Sequence, residues 1–226
     1  MPTYVVRLWL PDRPGALGAV ASRIGAVRGD LVGIEILEQG GGRAIDELVV
    51  DLPESSLVDL LVSEIRQVDG VDVEDVRTAG AAGCEARLDA LDTAAVLVEQ
   101  QTVPDLWLAI VDRASQTFQA EWCALLDLEG PVNLASIGGA PQAPWLAAFV
   151  LGARSSTRVA AGECGPDGIA WAALPATDLA LVLGRDNRPL RSRERAQLAA
   201  LGRIAGTRHT ELVMRGSREA HPSTSA

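Results

Sequence analysis

The chain has 226 residues and carries 30 acidic and 20 basic side chains, for a formal net charge of −10. All the basic side chains are arginine, because the sequence contains no lysine. Chemistry that depends on lysine, such as Schiff-base formation and Walker A phosphate binding, is therefore excluded. An acidic chain repels the phosphate backbone, so we expect no nucleic-acid partner.

Histidine and cysteine are too sparse for the common catalytic and zinc sites. The histidines are His209 and His221, and the cysteines are Cys84, Cys123 and Cys164. This spacing lacks the close Cys/His pairs of zinc sites, and scattered free thiols are typical of a reducing compartment. We therefore expect no catalytic residue, no metal site and no cofactor in a cytoplasmic protein.

Neither a signal peptide nor a membrane span is expected. The first residues lack a basic stretch followed by an apolar run, and no stretch of 18 uncharged apolar residues occurs. We therefore expect no membrane partner.

The first 78 residues alternate between strand and helix patterns. Residues 4–10 alternate with period two and predict a strand, the Pro- and Gly-containing residues 11–15 predict a turn, and residues 16–27 follow helical spacing. Further strands are predicted at 31–39, 44–52 and 71–76, and a second helix at 56–67, with Ile34 and Ile36 facing inward. The βαββαβ order predicts a ferredoxin-like α+β domain with helices on one face of an antiparallel sheet.

A second α+β domain follows a small-residue linker. We place the first domain at 1–78, the linker at 79–86, the second domain at 87–214 and a disordered tail at 215–226. The second domain is expected to hold an antiparallel sheet. Its predicted helices are 87–101, 103–118, 144–152 and 193–213, and its predicted strands are 120–128, 132–137, 168–174 and 178–184.

The turn between the first strand and the first helix is the best candidate binding site. The start of a helix offers unpaired N–H groups and a partial positive charge, which suit a carboxylate. Gly15 would let a ligand approach the backbone, and Asp12 would attract an ammonium group. The simpler interpretation is that Asp12 caps the helix and Pro14 fixes its first turn.

This turn, set in βαββαβ order, resembles the ACT domain family over residues 4–78. ACT domains are regulatory modules that bind amino acids, usually at a dimer interface between this turn and the second strand of a neighbouring subunit. The resemblance implies a homodimer that binds a small amino acid. By position it implicates Asp12, Arg13, Pro14, Gly15, Ala16, Leu17, Gly33 and Ile34.

The second half resembles the GAF sensor fold. The resemblance lies in the segments 169–174, 179–185 and 189–198, a strand pair followed by a polar turn and a helix. It implies a sensor or dimerisation domain that relays the state of the first domain.

Three other features have ordinary structural interpretations. Seven acidic residues on the third predicted strand, on the fourth and in the turn directly before the fourth are interpreted as a solvated face rather than a Mg²⁺ or Ca²⁺ site: Asp46, Glu47, Asp51, Asp69, Asp72, Glu74 and Asp75. Cys123 and most of the tryptophans are read as core, although four tryptophans in the second half could instead line a pocket.

These observations favour a non-enzymatic regulatory protein that binds a small amino acid. The alternative is a regulatory subunit or interaction module that docks on an enzyme or signalling partner and has a vestigial ligand site. An enzyme would have to rely on Asp and Glu chemistry alone.

Overall fold

The structure is a computed structural model that describes residues 1–79, 86–160, 166–186 and 188–220. The chain divides into two compact units, Met1–Asp89 and Ala90–Ala226. The predicted linker at 79–86 lies mostly outside the described residues, as do Cys84, Cys164 and His221. No helix in the described ranges is long and apolar enough to cross a membrane.

The first unit has the expected βαββαβ order. Its strands are β1 (Thr3–Pro11), β2 (Asp30–Gly40), β3 (Arg43–Asp51) and β4 (Asp72–Thr78), and its helices are α1 (Ala16–Ala26) and α2 (Val58–Ile65), the latter preceded by a short 3-10 turn at Ser55–Leu57. The sheet is antiparallel with the order β2-β3-β1-β4, so β2 and β4 are its edges.

The helices cover one face of this sheet. Period-two alternation sends every second residue of β1 and β3 toward them, because successive side chains of a strand point to opposite faces. Burying each of the larger aliphatic side chains contributes about 1.5–3 kcal/mol. The core cluster includes Val6, Leu8, Leu10, Leu48 and Val50 from the sheet and Val20, Ile24, Leu61 and Ile65 from the helices.

The edge strand β2 departs from simple alternation at two places. Its register against β3 shifts between Leu31 and Gly33 and again between Ile36 and Glu38, so that Val32 and Leu37 are the extra residues of two bulges. Ile34 and Ile36 share the helix-side face, yet they are 48% and 43% exposed. The expectation that they face inward is therefore wrong with respect to burial, because the edge strand extends beyond the helix layer.

The second unit builds a second four-stranded antiparallel sheet, ordered β6-β5-β8-β7. The strands are β5 (Trp122–Asp127), β6 (Val132–Gly138), β7 (Ile169–Ala173) and β8 (Leu179–Gly184). Helix α3 (Ala86–Glu99) begins in the last residues of the first unit, and it is followed by α4 (Val103–Phe118), α5 (Ala143–Arg154), the short α6 (Thr157–Ala160) and α7 (Ser192–Ala220). The short α6 has no counterpart in the sequence prediction.

Both faces of this second sheet are covered. Cys123 and Leu125 of β5 belong to the cluster that contains Ile110 of α4 and Leu201 of α7. The alternate residues Ala124 and Leu126 belong to a smaller cluster with Leu146 and Val150 of α5. The unit therefore has three layers, with the sheet between α4/α7 and α5.

Arg185 joins three elements at one end of the second sheet. Its side chain is buried and donates hydrogen bonds to the carbonyl oxygens of Phe118 and Pro189 at 2.6 and 3.0 Å. It also forms a 2.6 Å ion pair with Glu194. Because Glu194 accepts the Arg191 amide at 2.9 Å as well, this guanidinium fixes the end of α4 and the start of α7 together.

The last helix is longer than the sequence suggested. α7 continues to Ala220, past the expected end near residue 213, so residues 215–220 of the predicted disordered tail are helical. The Arg215 guanidinium donates to Gln101 Oε1 at 3.3 Å, and Ser217 Oγ donates back to the Val213 carbonyl at 3.0 Å within the helix. Residues 221–226 lie outside the described ranges.

Candidate ligand site at the first turn

The turn between β1 and α1 is held by backbone hydrogen bonds. The Asp12 amide donates to the Gly42 carbonyl at 3.0 Å, which ties the turn to the β2–β3 hairpin. The Arg13 amide donates to the Pro11 carbonyl at 2.8 Å, and the Ala16 amide donates to the Arg13 carbonyl at 3.3 Å. The turn therefore has a defined backbone conformation without help from side chains.

Gly15 immediately precedes α1 in the left-handed conformation, with φ of +88°. Glycine adopts this conformation without the strain that a Cβ would impose. No side chain caps the helix, so the alternative in which Asp12 is the N-cap is not what the structure shows. Asp12 is exposed instead.

The first turn of α1 therefore contains backbone amides that are not used in hydrogen bonds among the described residues. Within residues 1–79, the Leu17 and Gly18 amides have no hydrogen-bond acceptor. Gly15 and Gly18 are exposed, and a Cβ at either position would meet no other atom within 4 Å. Open space beside unpaired helix-start amides is suited to an anion such as a carboxylate.

The predicted site residues divide into an exposed and a buried group. Asp12, Arg13, Pro14 and Gly15 form the exposed turn. Ala16 and Leu17 pack with the core, so their side chains hold the backbone in place, and of their two amides only that of Leu17 lacks an acceptor among the described residues.

Gly33 and Ile34 lie on β2, which β3 separates from β1. A Cβ at Gly33 would come within 3.2 Å of Val49 Cγ2, so this position favours glycine for packing within the sheet. The first turn and this pair of residues therefore sit on strands that are not neighbours in one chain. Their joint use in a site rests on the predicted homodimer.

Asp46 is a residue near the turn that sequence reasoning misjudged. It was counted in a solvated acidic face, but it is 3% exposed and its Oδ1 has no hydrogen-bond partner among the described residues. Burial first, and the negative charge of Asp12 second, raise the pKa of the Asp46 carboxyl. The alternation of Ala44, Asp46 and Leu48 was the available signal, because both neighbours in that series are core residues.

Other members of the predicted acidic face are ion-paired. Glu47 accepts from Arg7 at 2.8 Å and from Arg77 at 2.9 Å, and Arg77 also reaches Asp75 at 3.1 Å. Arg7 is 1% exposed. The expectation of a simply solvated acidic face is therefore wrong here, because Arg7 is the register partner of both Glu47 and Asp75 and Arg77 adds a second cation beside them.

The second unit contains a stacked pair that the sequence did not reveal. The Trp107 and His209 rings are 6.2 Å apart at an interplanar angle of 18°. Burial lowers the pKa of His209, which favours its neutral form. Its Nδ1 and the Trp107 Nε1 are buried without hydrogen-bond partners among the described residues. His209 is thus a packing residue on α7.

Cys123 and three tryptophans of the second unit are buried or partly buried, as expected for core residues. Cys123 is completely buried, and burial raises the pKa of its thiol to about 12. Trp107, Trp122 and Trp171 are partly buried against the two clusters of the second unit, whereas Trp145 is 52% exposed. Within the described residues, no group of three or more His, Cys, Asp or Glu side chains could hold a metal ion.

No protein-family model and no curated protein matches this chain. Similar solved structures include the ACT domain of GTP pyrophosphokinase from Chlorobium tepidum, with 16% identity over 34% of this chain and 99% of that one, and a TM-score of 0.28. An ACT domain protein from Streptococcus pneumoniae is 16% identical over 34% of this chain and 90% of that one, with a TM-score of 0.30. The C-terminal domain of the MgtC protein from Mycobacterium tuberculosis is 17% identical over 34% of this chain and 85% of that one, with a TM-score of 0.28.

At these values the similarity says nothing about ligand or activity. The βαββαβ order and the antiparallel sheet of the first unit stand on this chain's own strand pairing. The GAF-like assignment of the second half stays a prediction.

Proposed function

We propose that this chain is a non-enzymatic regulatory protein that binds a small α-amino acid at the turn before α1. The observation that carries the proposal is the uncapped start of α1, where the Leu17 and Gly18 amides lack acceptors among the described residues and the exposed Gly15 and Gly18 have free space at their Cβ positions. These amides and the helix dipole would receive the ligand carboxylate.

The proposed assembly is a homodimer in which β2 of the partner subunit completes the site. β2 is an edge strand, and an edge leaves unpaired backbone groups that a second strand can use. The exposed Ile34 and Ile36 would lose water-accessible apolar surface in such an interface. The exposed turn and Gly33 would then meet across the interface.

The ligand can be found by thermal-shift screening of the full chain against the twenty amino acids. A ligand at 100 times its dissociation constant stabilises the folded protein by about 2.7 kcal/mol. We expect one amino acid or a chemically related group to raise the melting temperature. The proposal is overturned if none does so at millimolar concentration.

Two helix variants locate the binding site on α1. Gly18→Ala and Gly25→Ala both replace an exposed glycine of the same helix, and neither added Cβ has another atom within 4 Å. Each should raise intrinsic helix stability by up to about 1 kcal/mol. Only Gly18→Ala places a methyl group beside the proposed carboxylate position, so it alone should weaken binding. Equal affinity in both variants would place the ligand elsewhere.

The dimer has its own matched pair of variants. Ile34 and Leu60 are each 48% exposed, but Ile34 lies on β2 and Leu60 lies on α2. Light scattering should show a dimer that Ile34→Asp dissociates and Leu60→Asp leaves intact. A wild-type monomer at micromolar concentration contradicts the shared site.

Exposed apolar residues on α3 favour the interaction module as a second candidate function. Leu91 and Val98 are 68% and 52% exposed and lie seven residues apart, so they share one helix face. A protein partner that buries this face would be captured equally with and without amino acids, and Leu91→Glu would abolish its capture. A partner whose capture depends on the amino acid favours the regulatory function instead.

A further inference from the structure

The carboxyl group of Asp46 is buried in the first unit. It is 3% exposed, and its Oδ1 accepts no hydrogen bond from the described residues. Burying an ionised carboxylate without a partner is costly, so such groups are normally paired. We therefore expect the Asp46 carboxylate to be paired by a group that is not part of this chain.

The side chain of Asp46 lies on the same side of the sheet as α1. The β1–β3 register is continuous and places Asp46 opposite Leu8. Ala44 and Leu48, two residues before and after Asp46, both belong to the core cluster that includes Ala16 and Val20 of α1. Because alternate residues of a strand share a face, the carboxylate points into the layer between the sheet and the helix.

Asp46 is also near the end of the sheet where the turn lies. Leu8 precedes the last residues of β1, and the chain then passes through the turn into α1. The carboxylate of Asp12, on that turn, acts electrostatically on Asp46. The start of α1 and the two carboxylates therefore occupy one corner of the first unit.

Asp46 lies one strand in from the β2 edge of the sheet. Ile36 of β2 is the register partner of Asp46 on its other side, and it is 43% exposed. The same edge is the one assigned above to the partner subunit.

We propose that Asp46 binds the ammonium group of the amino acid whose carboxylate is held by the first-turn amides of α1. This inference rests on the proposed function and adds the residue that distinguishes an amino acid from a simple carboxylic acid. The ammonium would donate to Asp46 in a charge-assisted hydrogen bond, with the exposed Asp12 as a second negative group at the rim. The ligand class is a zwitterionic α-amino acid of small size.

The test compares amino acids with the carboxylic acids that lack their ammonium groups. Wild type, Asp46→Asn and Asp30→Asn are titrated calorimetrically with L-alanine and propionate, L-phenylalanine and 3-phenylpropionate, and the best ligand of the amino-acid screen. Asp30 is an exposed β2 residue, so its variant makes the same charge change away from the proposed contact. Asp46→Ser provides a second background in case the first variant folds poorly.

We expect wild type and Asp30→Asn to prefer the amino acid to its counterpart by at least about tenfold, which corresponds to about 1.4 kcal/mol. Both Asp46 variants should lose this preference while they keep the weak binding of the carboxylic acid. An unchanged preference in folded Asp46 variants overturns the role of Asp46 and leaves the proposed function standing. Absence of amino-acid binding to wild type overturns both.

Discussion

Arg7 on β1 and Glu47 on β3 are register partners, and their side chains form a 2.8 Å ion pair. The Arg7 side chain is 1% exposed and that of Glu47 is 12% exposed, so the pair is almost completely removed from water. Arg77 adds a second contact to the same Glu47 oxygen. This side of the first sheet therefore depends on mutual neutralisation of charges rather than on aliphatic packing alone.

Removing one member of this pair should destabilise the protein strongly. We expect Arg7→Ala to lower the free energy of unfolding by about 3–5 kcal/mol, because Glu47 would keep its burial but lose its closest cation. Urea denaturation measures the change. The double variant Arg7→Met/Glu47→Leu removes both charges and should cost much less. If the double variant costs as much as the single one, the loss is one of packing and not of charge.

Asp46 gives the stability of the ligand-free protein a particular pH dependence. Its folded pKa is raised above the unfolded value, so its contribution favours folding at low pH and is lost as the pH rises through the folded pKa. We therefore expect Asp46→Asn to increase the free energy of unfolding at pH 7. The gain should disappear below the ordinary carboxyl pKa of about 3.9, where Asp46 is protonated in both states.

Denaturation series at several pH values can check this dependence. Asp12→Asn should give a smaller gain over the same pH window, since burial is the larger cause of the raised pKa and Asp12 the smaller. Equal stability of wild type and Asp46→Asn at all pH values would contradict the buried, unpaired state of the carboxylate.

Gly184 has no room for a side chain. It is the register partner of Trp122, and a Cβ there would collide with the indole ring. Gly184→Ala should therefore displace Trp122 and cost about 1–3 kcal/mol, as overpacking does elsewhere. Gly130→Ala is the control, because its Cβ would have no neighbour within 4 Å. Tryptophan fluorescence and urea denaturation should change in the first variant and stay close to wild type in the second.

Cys123 should be chemically silent in the folded protein. Its thiol is fully buried, and burial raises its pKa to about 12, so almost no thiolate is present at pH 8. In a Cys84→Ser/Cys164→Ser background we expect alkylation only as fast as the protein unfolds. Measured labelling should accelerate with urea in parallel with the loss of structure. Rapid labelling without denaturant would show that the α4/α7 side of the second sheet opens locally.

The sequence was sufficient for the order of elements where hydrophobic periodicity is strong. The strand at 4–10 and the helix beginning at residue 16 were predicted from apolar spacing and turn residues, and the structure has both. The end of α7 was misjudged because its last turns are polar and carry no apolar period. There the Arg215 side chain donates to Gln101, more than one hundred residues away in the sequence, and composition does not reveal such a contact.

The candidate site was only partly predictable. The turn at Gly15 follows from local backbone chemistry, which acts within a few residues. The burial of Asp46 and the exposure of Ile34 depend on how far the helix layer reaches across the sheet. Alternation assigns a residue to a face, but it does not say whether that face is covered at that strand.

The two bulges in β2 also limit how this protein can associate. They leave only the stretch between Val32 and Leu37 in regular pairing geometry in the middle of the edge. A second copy of the chain could form a short stretch of strand pairing there. A bulged edge bends away from its neighbour, however, and does not support a long, flat ladder of paired strands. The β2 edge is thus poorly suited to open-ended strand addition, which limits aggregation of this acidic chain through that edge.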